Sequence, residues 1–351
     1  MIPAMSITPE SVARRDLGCR KGSDMDPRTL ITKRSSRHDR RVRTVARILV
    51  LAALFAVAAG TYLAIEVRSR VRRCRAAEEI EATPRAYVSY DYQYDSDGGM
   101  HPQSPPPGPK WGRKLFGEHF FATPVWAGFN SDEGIENLDY LLGLRKLTLT
   151  QETLPPPSEV TDAGLAHIRG LSRLEWLLLI SDSVTDAGLK NIKGLCELEK
   201  MTLVCPRVTD AGLENLAGLV MLRKLELNYG DKQIISGVGL KNLRGLKALR
   251  ELSLEHCPIT DAAMPQLGAL TGLEQLDLAE TRVTDTGIRF LNGLIRLRKL
   301  YLYRTAITDS ALEGLKQLSA LEELSVSDTA VTRQGIARLQ GALPRCKIFS
   351  D

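Results

Sequence analysis

The sequence predicts a leucine-rich repeat solenoid of the α/β class, a horseshoe with a concave parallel sheet and convex helices. Two observations support this prediction. A Val-Thr-Asp-Ala-Gly-Leu motif recurs from residue 130 onward, most clearly at 160–165, 184–189 and 208–213. Each copy is followed by leucines in L-x-x-L-x-L spacing. A period of about 20–29 residues with this leucine pattern is typical of a solenoid that has one strand and one helical segment per repeat.

The repeat domain is predicted over residues 130–351. Aligned on the motif, the repeats begin at residues 130, 160, 184, 208, 235, 259, 283, 307 and 331. The domain therefore has eight repeats and a terminal half repeat. Two steps are longer than the others, because of insertions at 154–157 and around 230–232. Both insertions follow a strand, so we expect them on the same rim.

The motif also predicts how each convex helix begins and ends. In the repeat from Val283, Thr284 or Asp285 is expected to cap the helix, because a side-chain oxygen can accept an orphan amide hydrogen of the first turn. Gly293 is expected to end the helix in the left-handed conformation. The same role is expected for the equivalent glycines Gly170, Gly194, Gly218, Gly245 and Gly341.

Departures from the motif predict local differences between repeats. The repeat from Ile259 has Ala263 in place of the motif glycine and Pro265 inside the helix, which favours an irregular or 3₁₀ convex segment. The turn after the strand ends in threonine in the later repeats. Regular hydrogen-bonded turns are therefore expected in the C-terminal half, at Thr281, Thr305 and Thr329.

An uncharged apolar segment lies at residues 48–65. As a helix it is about 27 Å long, close to the roughly 30 Å of a bilayer's hydrocarbon core. We therefore predict a transmembrane helix over 45–67. Residues 1–44 are rich in Arg, Ser and Asp without apolar periodicity, so they are predicted to be a disordered basic tail.

The basic residues that flank the apolar segment predict its orientation. Seven lie at 33–47 and five at 68–75, so the N-terminus is placed in the cytoplasm and the repeats outside, by a small margin. Residues 68–75 also suit a juxtamembrane helix on anionic headgroups. An uncleaved signal anchor is preferred, but residues 56–58 resemble a signal-peptidase site, so cleavage stays open, as does translation from Met25.

Residues 68–129 are predicted to form a juxtamembrane helix and an aromatic α+β module. The stretch 83–129 contains 10 of the 19 aromatic residues. Strands are predicted at 87–94 and 120–127, and a short helix at 110–117. Since the first repeat of a solenoid has an apolar face without a neighbour, we expect the module to cap it. The alternative is a separate ligand-binding domain.

Charge and cysteine spacing argue against two classes of function. Residues 1–75 contain 17 basic and 6 acidic residues, and the rest of the chain contains 30 and 36. The repeats therefore lack the basic surface that nucleic-acid binding requires. The six cysteines show no paired spacing, so neither a zinc site nor a disulfide framework is predicted. No metal, cofactor or small-molecule substrate is expected.

The repeat motif resembles the cysteine-containing leucine-rich repeats of F-box-type proteins. Over residues 45–351 the chain also resembles bacterial single-pass membrane proteins with extracytoplasmic repeats. Besides the anchor and the repeats, the matching segments are 90–92, 108–111 and 115–118. This resemblance implies binding rather than catalysis. It does not extend to ubiquitin-ligase adaptor function, because the sequence shows no F-box segment.

Side chains that flank the strand leucines are expected on the concave face. They form an apolar cluster, an acidic belt and a Tyr/Arg patch. The apolar cluster is Trp176, Leu178, Ile180 and Val204; the acidic belt is Glu226, Glu251, Glu255, Asp277 and Glu280; the Tyr/Arg patch is Lys299, Tyr301, Tyr303 and Arg304. Trp, Tyr and Arg dominate hot spots for protein binding. The alternative is that the cap or the insertions cover the apolar cluster, and that the acids are simply solvated.

We therefore predict a membrane-anchored leucine-rich repeat protein that is not an enzyme. Its concave face is expected to recognise another protein or an envelope component. The alternative is a structural envelope component that self-associates without a specific ligand. A glycosidase-like carboxylate pair in the acidic belt is set aside, because acidic belts are commonplace in such repeats.

Overall fold

The computed structural model describes four stretches of the chain: residues 27–95, 99–151, 159–227 and 234–350. The predicted rim insertions at 154–157 and 230–232 lie outside these stretches, so their placement stays a prediction. The chain divides into two compact units, residues 1–66 and residues 67–351.

The described part of the first unit is a single helix. It begins at Pro27 and continues into the second unit as far as Ala82. Its portion from Arg47 onward is long and apolar enough to cross a membrane, with a mean hydropathy of 2.4 over 18 residues that are not buried. The helix also includes residues 27–44, for which we predicted no regular structure. Pro27 suits a first helical turn, and no further proline or glycine follows before Gly60.

The second unit is built on one sheet of eleven strands that lie in sequence order. The first pair is antiparallel and each later pair is parallel. This arrangement confirms the predicted solenoid. The strands are β1 Tyr87–Tyr90, β2 Pro124–Phe129, β3 Lys146–Leu149, β4 Trp176–Ile180, β5 Lys200–Val204, β6 Lys224–Glu226, β7 Glu251–Ser253, β8 Gln275–Asp277, β9 Lys299–Tyr301, β10 Glu323–Ser325 and β11 Lys347–Phe349.

The segments that join the strands of the sheet are short and mostly of 3₁₀ type. A 24-residue repeat leaves room for only one or two helical turns. The 3₁₀ segments are Asp91–Gln93, Ile135–Tyr140, Gly164–Ile168, Lys190–Ile192, Gly212–Leu216, Val238–Gly245, Asp261–Ala263 and Arg289–Gly293. The short α-helices are Lys110–Phe116, Asp186–Leu189, Met264–Gly268, Asp285–Ile288, Asp309–Leu315 and Arg333–Ala342. The repeat from Ile259 has a 3₁₀ turn, Asp261–Ala263, as expected, but Pro265 lies in the first turn of a short α-helix, Met264–Gly268. Repeats without this proline also have 3₁₀ turns, so the proline does not set this repeat apart.

The glycines expected to end the convex helices are not left-handed. Neither Gly293 nor its five equivalents has a positive φ, because the short turns lead into the next strand without a left-handed cap. In the later repeats the left-handed residues are instead in the turn after the strand, and they are His256, Glu280, Arg304 and Asp328. Each of the last three is followed by a threonine that donates its hydroxyl to the carbonyl three residues back, as predicted; these are Thr281, Thr305 and Thr329.

The strand leucines pack into one continuous core. Leu297, Leu300 and Leu302 of one repeat are fully buried, and each contributes roughly 1.5–3 kcal/mol relative to exposure. No repeat can bury these side chains alone, so stability comes from stacking. The core extends to Ile80 of the long helix and Tyr90 of β1. Residues 67–129 therefore share the core of the repeats.

A carboxylate joins each convex segment to the next one. Asp162 accepts hydrogen bonds from the backbone N–H of Thr185 at 2.8 Å and from its hydroxyl at 2.6 Å. Asp186 holds Thr209 in the same way, at 2.8 and 2.6 Å. The Thr209 hydroxyl also accepts from the N–H of Ala211 at 3.1 Å. We call this repeated contact the Asp–Thr ladder.

The ladder accounts for two residues of the motif, the aspartate and the glycine. It recurs at Asp132–Thr161, Asp261–Thr284, Asp285–Thr308 and Asp309–Thr332. The predicted helix cap is confirmed at Thr284, whose hydroxyl accepts from the N–H of Thr286. The motif glycine lies against the same carboxylate, since a Cβ at Gly188 would lie 2.2 Å from Oδ1 of Asp162. The aspartate and the glycine therefore belong to one contact between neighbouring repeats.

The ladder is interrupted between the fifth and sixth repeats. In the fifth repeat, Ser236 and Gly237 replace the Thr-Asp of the motif. Asp210 still accepts from the hydroxyl of Ser236 at 2.6 Å and from the N–H of Gly237 at 3.1 Å. Because a glycine stands where the next aspartate would be, Thr260 receives no such carboxylate in the described part of the chain. The ladder is thus divided into two runs.

We predict that Asp186→Ala lowers the free energy of unfolding by about 1–3 kcal/mol, because the N–H and hydroxyl of Thr209 lose a charged acceptor. The measurement is urea unfolding of the full chain in detergent, followed by circular dichroism. Glu197→Ala, which removes an exposed carboxylate from the same repeat, is the matched control and should change this free energy by less than about 0.5 kcal/mol. Equal effects of the two substitutions would contradict a stabilising role for the ladder.

Candidate functional site

The residues between the strand leucines point away from the core, on the face that is concave in a solenoid of this kind. Strand register aligns them in two columns. The first column is Trp126, Lys146, Trp176, Lys200, Lys224, Glu251, Gln275, Lys299, Glu323 and Lys347. The second column is Gly128, Thr148, Leu178, Thr202, Glu226, Ser253, Asp277, Tyr301, Ser325 and Phe349.

The structure places the predicted site residues in or beside these columns. Seven are column members: Trp176, Glu251 and Lys299 in the first, and Leu178, Glu226, Asp277 and Tyr301 in the second. Ile180 and Val204 are paired two residues further along β4 and β5. The remaining four follow their strands and are Glu255, Glu280, Tyr303 and Arg304. Side chains of the acidic belt contact those of the Tyr/Arg patch, as in the pairs Tyr303–Glu255 and Arg304–Glu280. The apolar cluster lies on the earlier strands β4 and β5.

The apolar cluster is larger than predicted, because β2 adds Trp126 to it. The Trp126 and Trp176 rings meet edge to face with centroids 5.6 Å apart, although Lys146 stands between them in the sheet. Tyr87 packs on Trp126 at 5.7 Å. The indole N–H of Trp126 donates to the hydroxyl of Thr148 at 3.0 Å. The ring edges are thus fixed, while both tryptophans stay only half-buried.

An open cavity of about 330 Å³ lies beside the two tryptophans. We call it the Trp site; its lining residues are Trp126, Lys146, Glu175, Trp176, Glu199 and Lys200. This volume is at the lower end of the range for ligand pockets. A cavity of this size has room for one or two side chains. For Trp176 the sequence left two alternatives open, an exposed binding surface or cover by the cap or the insertions. In the structure Trp176 packs against Trp126 of β2 and also lines the open cavity.

The tyrosines of the Tyr/Arg patch are tied to carboxylates. The hydroxyl of Tyr303 donates to Glu255, two repeats away. The hydroxyl of Tyr301 donates to Glu323 at 3.1 Å, and burial together with this carboxylate raises the pKa of Tyr301 to about 12. Both phenols are therefore neutral donors, and neither is poised to act as a base.

Arg304 belongs to a row of alternating charges on the rim. Its guanidinium lies 2.8 Å from Glu280 and 3.1 Å from Asp328. His256 Nδ1 lies 3.0 Å from the other oxygen of Glu280. These are the left-handed residues of successive turns, so their side chains stack one repeat apart. The charge of Arg304, predicted as a binding determinant, is compensated within the chain.

Two acids of the acidic belt are also compensated. Lys224 contacts Glu226 at 2.9 Å and Glu251 at 3.5 Å. Glu226 accepts a further hydrogen bond from the hydroxyl of Thr202 at 2.7 Å. Burial alone would raise the pKa of Glu226, but the hydrogen bonds from Lys224 and Thr202 lower it below its usual value. These acids are held in place rather than freely solvated.

Asp277 is the exception within the belt. It is half-buried and accepts one hydrogen bond from the N–H of Ala279 at 3.0 Å. Burial, reinforced by the charge of Glu255, raises the pKa of Asp277 to about 6, although the Ala279 bond and His256 act against this. Its carboxylate is therefore the least compensated negative charge at this end of the face.

Glu255, His256 and Glu280 are the group whose geometry could hold a metal ion among the described residues. Their ligand atoms lie within 4.8 Å of one another. However, Glu280 is already bound by Arg304 and Glu255 by Tyr303. The contacts account for the cluster as part of the charged rim, and no metal chemistry is assigned to it.

The comparisons with known proteins add a likeness of fold. No protein-family model and no curated protein matches the chain, so the resemblance to F-box-type repeats has no support from them. An internalin from Listeria monocytogenes is similar with a TM-score of 0.46 and 21% identity, over 64% of this chain and 66% of that chain. A second internalin of the same organism gives 0.40 and 23%, over 66% and 80%. At these values the likeness does not extend to what those proteins bind.

We predict that Asp277→Asn raises the free energy of unfolding near pH 7.5 and leaves it unchanged near pH 4. Because the folded-state pKa of about 6 exceeds the usual 3.8, the native chain loses stability as pH rises through this window, and the amide does not. Since the group is only half-buried, solvent screening reduces the expected gain to about 1 kcal/mol. The measurement is urea unfolding at both pH values. A gain of equal size at both would contradict the raised pKa.

Proposed function

We propose that this chain is a membrane-anchored protein that recognises another protein through its concave face and carries out no reaction. The Trp site is the observation that carries the proposal. Two half-buried indole rings border an open cavity on a face whose other charged groups are mostly paired with one another. Exposed aromatic side chains with a polar rim are typical of protein-binding surfaces.

The long apolar helix supports the membrane anchor. Its composition matches a membrane span, and basic residues flank the apolar run on both sides. We propose that the N-terminal side is cytoplasmic and that the repeats lie outside, where a protein partner or an envelope component is accessible. The slight excess of basic residues before the apolar run supports this orientation.

We also propose that residues 68–129 cap the first repeat. Ala76, Ala77 and Ile80 of the long helix are buried in the repeat core. The antiparallel pair of β1 and β2 continues the sheet beyond β3. A closed end of this kind shields the apolar side chains of the first repeat, and it also brings Trp126 to the concave face.

We predict that a photo-crosslinking amino acid placed at Leu178, beside the Trp site, captures one discrete partner in cells. The same probe at Lys241, an exposed position on a convex segment, is the control and should capture nothing discrete. The products are separated by mass and identified by mass spectrometry. Crosslinks only between two copies of this chain would instead favour the self-associating structural component.

We predict that alkaline phosphatase fused after Asp351 is active in a bacterial host, because this reporter folds only outside the cytoplasm. The same fusion without residues 48–65 should be inactive, since it lacks the apolar segment. Activity in whole cells is the measurement. An inactive fusion of the full chain, together with an active cytoplasmic reporter at the same position, would show the opposite orientation.

A further inference from the structure

The lysines of the Trp site differ from the other charged residues around them. Lys146 and Lys200 are in the first column on either side of Trp176. The carboxylates nearest in sequence, Glu175 and Glu199, are instead bound to Arg145 at 2.9 Å and Arg223 at 3.9 Å. Among the described residues, neither lysine has a carboxylate within ion-pair distance.

Lys146 is held by aromatic rings instead. Its amino group lies 5.4 Å from the ring centroid of Tyr94 and 5.7 Å from that of Trp126. Cation–π contacts fix the position of an ammonium group but leave its charge without a counter-ion. Lys200 is exposed. Glu175 and Glu199 also line the cavity, but their charges are paired with Arg145 and Arg223. The two ammonium groups next to the two indole rings are therefore the complement of an anionic group on an apolar body.

The surroundings of the cavity are apolar along the strand direction. Leu178 and Ile180 follow Trp176 on the same face of β4, and Val204 pairs with Ile180. All three are half-buried. A sugar ring can stack on an indole, but its many hydroxyl groups also need polar side chains as hydrogen-bond partners, and this strip offers few. Aliphatic or aromatic side chains of a peptide fit it better than an acidic polysaccharide does.

We propose that the Trp site binds an extended segment of a partner protein through an Asp or Glu side chain flanked by apolar residues. The carboxylate lies between Lys146 and Lys200, and the apolar neighbours pack on the indole rings and on the strip of Leu178 and Ile180. This inference rests on the proposed function and names the chemistry of its partner. It differs from the predicted Tyr/Arg patch, whose charges are already paired.

The acidic end of the concave face predicts a second feature of the partner segment. Asp277 and Glu323 lie on β8 and β10, near the tyrosines. β4 and β8 are four strand spacings apart, about 19 Å at 4.8 Å per strand, and an extended peptide covers this distance in about six residues. The segment that crosses the face therefore carries a Lys or Arg about six residues from its acidic anchor, beside Asp277.

The test uses the full chain in detergent and a displayed library of random peptides of about twelve residues. Selection should enrich peptides with an Asp or Glu between apolar residues and a basic residue about six positions away. Lys200→Glu should abolish the acidic preference. Lys347→Glu changes an exposed lysine of the same column on the last strand and is the matched control, which should keep it. Thermal unfolding checks that both variants are folded.

Three results would overturn the proposal: no enriched sequence, enriched peptides without an acid, or an acidic preference that survives Lys200→Glu. Binding of oligogalacturonate that Lys200→Glu abolishes, with no peptide enriched, would assign the site to acidic polysaccharides and also overturn it. If the probe at Leu178 still captures a discrete protein in any of these cases, the proposed function stands and only this partner chemistry fails. If it captures nothing, both fail.

Discussion

Seven of the eight repeats offer an aspartate carboxylate to the next repeat, and the regular spacing of the solenoid depends on this contact. The aspartate of one turn holds both the backbone N–H and the hydroxyl of the following threonine, so the convex side repeats at the same interval as the strand ladder on the concave side. Leucine packing alone supplies most of the stabilising energy but has little directional preference. The hydrogen bonds of the carboxylate supply the direction, and the columns of the concave face follow from it.

The charges on the concave face and its rim are also paired between neighbouring repeats. Glu175 and Arg145, Arg298 and Glu322, and Arg304 and Glu280 are each one repeat apart. Such pairs contribute little stability individually, because they are exposed. Their effect is to leave few charges for a ligand. The lysines of the Trp site and Asp277 stand out because this pairing does not include them.

The motif was sufficient to predict the order of the strands, the threonine caps and the side chains that face outward. It was insufficient where the outcome depends on contacts between distant segments. Trp126 enters the site only because β2 pairs with β3 in one register, and the segment between them carries no clear motif copy that would predict that register. Likewise, the contact of Tyr303 with Glu255 crosses two repeats. The left-handed turns at Glu280 and Arg304 could not be predicted either, since glutamate and arginine rarely adopt that conformation.

The carboxylate that is missing at Gly237 of the fifth repeat makes the stiffness of the solenoid differ from one junction to another. At this junction β7 and β8 remain paired, whereas the convex side lacks the hydrogen bonds that fasten Thr209 or Thr284 to their neighbours. We therefore expect less resistance to bending there than at the described junctions that keep the aspartate. The Trp site lies on one side of the junction and Asp277 on the other. The solenoid then consists of two stiffer runs of repeats joined at a more flexible junction. A partner segment that contacts both the Trp site and Asp277 would set the angle between the two runs.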